Sequence, residues 1–219
     1  MSFDATSVAG AMIGVRERIA GAGGDPDRVQ VVAVTKGFGP QAPLAALAAG
    51  IVHLGENYAQ ELVAKAAVVG EDPAPVWHFI GGLQSNKVRL LAPHVDLWET
   101  IDRASLGAEV AKRAPGAAVL AQVNISGEAA KSGCAPGETA DLVAGLRDRG
   151  LDVRGLMGVA AAGDLELARA QFGRLAVLAS ALDLPELSMG MSADLEAAVA
   201  EGATIVRVGT ALFGARPPR

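Results

Sequence analysis

The chain has 219 residues, a net charge of −5, a hydrophobic fraction of 51% and an aromatic fraction of 4%. That length suits one large domain or two small ones, and small aliphatic side chains must build the core. The negative balance gives no global positive field to draw nucleic acid or an anionic membrane, and the single cysteine, Cys134, excludes an internal disulfide.

Taken in order, the residues from about Asp4 to Ala20 form an amphipathic helix with Val8, Met12, Val15 and Ile19 on one face. Asp4 comes early and Arg16, Glu17 and Arg18 interrupt any apolar region, so a secretory leader is not expected. The lone cysteine fits a reducing cytoplasm, which is the expected compartment. Gln30 to Lys36 is an apolar, β-branched run that stops on a lysine and is followed by Gly37, Gly39 and Pro40, the pattern of a buried strand opening into a loop.

Further strands are expected at Ile51–Leu54, Val76–Ile80, Val95–Trp98, Ala118–Asn124, Val153–Met157, Glu186–Met189 and Thr204–Val208. Helical stretches separate them at Pro43–Ala49, Ala59–Val69, Val88–Ala92, Arg103–Arg113, Pro136–Arg149, Asp164–Leu182 and Ala193–Ala200, with a final short turn or helix from Gly209-Thr210. Strict β-then-α alternation demands parallel strands with right-handed crossovers. Eight such units predict a single (β/α)8 barrel with an extra N-terminal helix. A doubly wound open sheet is the runner-up, but Thr35-Lys-Gly-Phe-Gly-Pro40 is neither a dinucleotide turn nor a phosphate-binding P-loop. No uncharged apolar stretch is long enough to span a bilayer.

In such a barrel the site lies at the C-terminal ends of the strands. Those ends collect Lys36, Glu56-Asn57-Tyr58, His78, Glu99, Asn124, Met157, the Ser188-Met-Gly-Met191-Ser192 loop and Arg207 to Thr210. A partly desolvated lysine loses preference for its charged form and becomes a nucleophile toward an aldehyde. The alternative is that Lys36 simply reaches out of the strand end to water.

Ser188, Ser192, Gly209 and Thr210 offer hydroxyls and backbone N–H groups to a phosphate, although Ser192 is also a fitting N-cap for the next helix. Arg207 interrupts an apolar strand. Its charge would face either a ligand's ring nitrogen or a carboxylate such as Glu56 or Glu99. His78 reads first as a hydrogen-bonded core histidine, and His53, His78 and His94 lack metal-ligand spacing. Trp77 and Trp98 are expected between barrel and helices, Lys131 in solvent, and Cys134 without a catalytic role.

Val34-Thr-Lys36, Gly55-Glu-Asn-Tyr58, the run from Trp77 to Lys87, Gly155-Leu-Met157, the run from Leu187 to Asp194 and the run from Val206 to Gly214 together resemble the YggS/PROSC family of pyridoxal-phosphate homeostasis proteins. The resemblance spans nearly the whole chain, in order. It implies a barrel like the N-terminal domain of alanine racemase, with pyridoxal 5′-phosphate held as a Schiff base. Lys36 matches the lysine of that bond and Arg207 the arginine at the pyridine nitrogen. Gly209, Thr210 and a serine of the Ser188–Ser192 loop, which includes Met191, match the phosphate binders; Asn57 matches a residue near the ring.

Two departures concern loops only. Lys36-Gly-Phe-Gly-Pro40 is slightly longer than the family's usual turn, and Cys134 stands where a larger apolar residue is usual. The resemblance further implies a carrier or buffer of the cofactor with little or no turnover, because no residues remain for the second domain and catalytic tyrosine of the racemases. Apo-forms of enzymes that use the cofactor are its expected partners, and a closed barrel, lacking an edge strand, is expected to be a monomer. A small racemase or lyase, and an aldolase-type barrel enzyme, stand as the alternatives.

Overall fold

The strand and helix periods produce the expected alternation. The computed structural model describes residues 4–70 and 74–216. It has strands β1 (Gln30–Val34), β2 (His53–Glu56), β3 (Val76–Phe79), β4 (Leu97–Ile101), β5 (Ala118–Val123), β6 (Asp152–Gly158), β7 (Glu186–Met191) and β8 (Ile205–Val208). Around them lie α1 (Ala5–Gly21), α2 (Gln41–Ala48), α3 (Ala59–Val69), α4 (Ser85–Leu91), α5 (Ala104–Arg113), α6 (Thr139–Arg147), α7 (Leu165–Ala181), α8 (Leu195–Ala200) and α9 (Thr210–Phe213). The strands close in sequence order, β1 pairing in parallel with both β2 and β8. The fold is therefore a (β/α)8 barrel, and the open-sheet alternative falls away.

Alternation along each strand sends side chains to two cores. Val32, Leu97, Ala118, Leu120, Met157 and Ile205 fill the barrel interior. The larger core lies between strands and helices and contains Trp77 and Trp98, as expected, with Leu54, Phe79 and Phe172. Each such fully buried side chain contributes about 1.5–3 kcal/mol relative to exposure.

Two strands sit later in the chain than their apolar residues suggest. Ile51 does not open β2. Its N–H donates to the Ala46 carbonyl and that of Gly50 to Leu47, which closes α2. The strand instead runs on through Glu56, whose charge is met by Lys65 and Thr35. Likewise the Val95 N–H closes α4 on the Leu91 carbonyl, and β4 continues to Ile101 past a register shift. The helix expected from Pro136 begins as a 3-10 turn over Pro136–Glu138 and becomes α6 only at Thr139. Asp4 caps α1 by accepting from the Thr6 N–H.

Candidate functional site

The C-terminal mouth of the barrel holds a cavity of about 370 Å³. Lys36, Asn57, Met191, Ser192, Arg207, Gly209 and Thr210 line it together with Val34, Phe38, Ile80, Met157, Val159, Ala193 and Arg216. Three of these side chains are cations and none is a carboxylate.

Lys36 sits just beyond β1, where Gly37 turns the chain at φ +77°. α3 anchors this turn. The Gly37 N–H donates to Glu61 Oε2 at 2.8 Å, and Lys65 Nζ donates to the Thr35 carbonyl at 2.8 Å. Lys65 also pairs with the buried Glu56 at 2.6 Å, and Thr35 donates its hydroxyl to the same carboxylate oxygen at 2.6 Å. Burial lowers the Lys36 pKa; the charges of Arg216 and Arg207 lower it further, against an opposing pull from Glu56. A neutral, nucleophilic amine is thus easier to reach here than on a solvated lysine.

Arg207 enters from β8 and is buried. It donates to Ser188 Oγ at 2.6 Å and to the Gly158 carbonyl at 3.0 Å. Ser188 in turn donates to Glu99 Oε2 at 2.5 Å, and His78 Nδ1 lies 2.6 Å from Glu99 Oε1. The direct Arg207–Glu99 separation is 3.9 Å. Burial lowers the Arg207 pKa against the attraction of Glu99 and Asp194. Burial would raise Glu99, but the hydrogen bond and charge of His78, with Arg207 and Ser188, hold it below the ordinary carboxylate value.

On the third side Ser192 Oγ accepts from the Ala211 N–H at 3.2 Å, joining the β7–α8 turn to the start of α9. The turn is tightened by Asp194, which accepts from the Met191 N–H at 2.6 Å. Arg18 of α1 ties it down from outside, donating to the Ser192 carbonyl at 2.9 Å and to both carboxylate oxygens of Glu196. Asn57 follows β2, and its Oδ1 is buried with no hydrogen-bond partner among the described residues. Its backbone is fixed by close approach: a Cβ at Gly81 would overlap the Asn57 carbonyl.

Of the residues singled out in the sequence, Lys36, Asn57, Met191, Ser192, Arg207, Gly209 and Thr210 share this cavity. Ser188 does not reach it. β7 runs on to Met191, so Ser188 lies fully buried inside the barrel with its hydroxyl spent between Glu99 and Arg207. The serine on the cavity wall is Ser192. For Arg207 the carboxylate expected is Glu99 rather than Glu56, and the guanidinium also lines the cavity. His78 is the buried, hydrogen-bonded histidine expected. Lys131 is less solvated than its loop suggests, donating to the Ala160 carbonyl at 2.8 Å. Cys134 is buried, and burial raises its pKa.

Sequence reasoning missed Arg216, Phe38 and Ile80. Arg216 follows the last helix in a Pro- and Arg-rich tail without periodicity, which gave no signal. Among the described residues no cluster of ligands suits a metal ion, and no helix is long and apolar enough to cross a membrane.

Comparison with known proteins bears on the family and the fold. The family described as alanine racemase, N-terminal domain, matches residues 18–217. The pyridoxal phosphate homeostasis protein of Pseudomonas aeruginosa is 42% identical over 224 residues, covering 99% of this chain and 97% of its own. The chain belongs to the YggS/PROSC family of pyridoxal phosphate homeostasis proteins. A solved family member, PipY of Synechococcus elongatus PCC7942 with pyridoxal phosphate bound, superposes with a TM-score of 0.80 at 36% identity. That match covers 91% of this chain and 100% of PipY. At 14% identity, alanine racemase of Clostridium difficile shares the fold alone, with a TM-score of 0.76 over 94% of this chain and 57% of its own.

Proposed function

We propose that this chain binds pyridoxal 5′-phosphate in the barrel mouth and serves as a carrier in cofactor homeostasis, with little or no turnover. The observation that carries the reading is the cavity wall: a partly desolvated Lys36 beside Arg207 and Arg216, with no carboxylate among the described lining residues, in a chain of net charge −5. That wall selects a small anion bearing an electrophile. The orphaned Asn57 Oδ1 fits a hydroxyl on the ligand ring. When bound, the cofactor supplies an aldehyde that condenses reversibly with a primary amine.

The chain's own residues then divide the work. Lys36 provides the amine. Ser192 and Thr210 hydroxyls and the Gly209 backbone meet the phosphate, and Met191 flanks that turn. Arg207 would face the ring nitrogen, and because a guanidinium only donates, it would keep that nitrogen unprotonated.

Two features favour a carrier over a racemase or lyase. An unprotonated ring nitrogen makes the cofactor a poorer electron sink. Among the described residues the wall also presents no histidine, carboxylate, tyrosine or thiol to act as a second acid or base beside Lys36. Apo-forms of enzymes that use the cofactor are the proposed recipients. A monomer is proposed, since all eight strands pair and leave no free edge.

The purified protein, loaded with the cofactor, is expected to absorb in the visible and to become covalently modified at Lys36 on borohydride reduction. Lys36→Ala should lose both properties. Robust racemisation or decarboxylation of any amino acid by the parent protein would sink the carrier reading.

A further inference from the structure

The hydrogen bonds of Arg207 do not stop at Glu99. From the cavity they run down the barrel interior through Ser188, Glu99 and His78 to His53, whose Nδ1 lies 3.0 Å from His78 Nε2. Gln30 approaches the same His78 nitrogen at 3.5 Å. His53 and Gln30 open β2 and β1, so the chain of contacts ends at the opposite mouth. Ser188, Glu99, His78 and Arg207 are all at most 4% exposed.

The direction of the inner links is fixed by chemistry. A guanidinium cannot accept and a carboxylate cannot donate. Arg207 therefore donates to Ser188, Ser188 donates to Glu99, and His78 Nδ1–H donates to Glu99 from the other side.

We infer that Glu99, Ser188 and His78 are positioning residues that fix the direction and the offset charge of the guanidinium Arg207 presents to the cofactor ring. The inference rests on the proposed function for what lies against Arg207. None of the three touches the cavity, and all act through Arg207. Apolar residues of similar size would fill this part of the barrel without the cost of burying two ions. Ser188 as the intermediary keeps the ions 3.9 Å apart, so the guanidinium retains donors for the cavity side.

The groups that bear on this arrangement come from several elements. Glu99 of β4 and Asp194 beside α8 act on Arg207. Arg207, Arg216 and Glu56 act on Lys36. His78 and Glu99 act on His53, whose pKa falls to about 4 mainly through burial. Glu186, at the start of β7, is raised by burial and feels Arg154, His78, Glu99 and Asp152.

The test compares the parent protein, Ser188→Ala and Glu99→Gln, each loaded with pyridoxal 5′-phosphate, by following the visible absorbance of the bound cofactor against pH. Glu99→Gln leaves the Arg207 charge without its offset and is expected to move the midpoint down by about half a pH unit or more. Ser188→Ala should move it the same way by less. A merely structural role would lower the melting temperature and leave the midpoint in place, and that result in folded, loaded variants overturns the inference.

Should Glu99→Gln fail to fold, two measurements decide. One is Ser188→Ala, which removes a single oxygen. The other is the downfield proton resonance of the His78–Glu99 hydrogen bond in the parent, which must shift when the cofactor is added. A stationary resonance overturns the inference. If borohydride fails to fix the cofactor to Lys36 in the parent, the proposed function fails instead. The positioning is then read in the cofactor-free protein from the guanidinium nitrogen resonances of Arg207, which Ser188→Ala must displace.

Discussion

Lys65 carries a charge that water barely reaches, and its partners explain why Lys36 is held in place. It bonds to Glu56, to the Thr35 carbonyl and, at 3.3 Å, to Glu61, so one ammonium satisfies the strand end, the buried carboxylate and the turn beyond. Lys65→Met would leave Glu56 buried without its counter-charge, a loss of about 3–5 kcal/mol. Urea denaturation of the variant should show it as a lower midpoint at an unchanged slope. None of this was legible beforehand, because a lysine within a helical stretch carries no mark of whether the fold will bury it. Lys36 and Arg207 were legible for the opposite reason: each interrupts an apolar strand run, where a charge needs an explanation. Ser188 and Ser192 could not be separated without knowing where β7 ends, since the strand's alternation decides which serine faces the barrel interior.

At the level of elements, the strands drawn from Val-, Ile- and Ala-rich runs, β1, β5 and β8, were plain in the sequence. β2 and β4 were displaced because helix-closing hydrogen bonds consumed their first apolar residues. The N-terminal helix was also plain, and its predicted face is the buried one, with Val8, Val15 and Ile19 inside. What its pattern could not disclose is the grip of Arg18 on the Ser192 turn, which joins residues far apart in the chain. An Arg paired in a bidentate manner and partly exposed is worth about 1 kcal/mol. Arg18→Ala is therefore expected to weaken binding of pyridoxal 5′-phosphate roughly fivefold. Pyridoxal, which lacks the phosphate, should be affected less; equilibrium titration of both ligands against the variant tests this, and equal losses would place the effect outside the phosphate turn.

The whole chain is acidic, yet the C-terminal mouth of the barrel gathers Lys36, Arg207 and Arg216 with no carboxylate among the described lining residues. The cations sit within a concave, partly desolvated wall, where their potential is concentrated on an anion and only partly screened by salt. The dissociation constant for pyridoxal 5′-phosphate should therefore rise about two- to fivefold between 0.05 and 0.5 M sodium chloride. A flat salt response would assign the affinity to the covalent bond at Lys36 alone.

The barrel's closure has a kinetic consequence. Its wall is a cylinder bonded without a seam from β1 round to β8. Below the cavity, Leu97, Leu120 and Ile205 fill its bore. A seamless cylinder cannot hinge apart, and a filled bore offers no back exit. Arrival and departure share one doorway, so an acceptor must wait for release into solvent or meet the ligand at the threshold by which it entered.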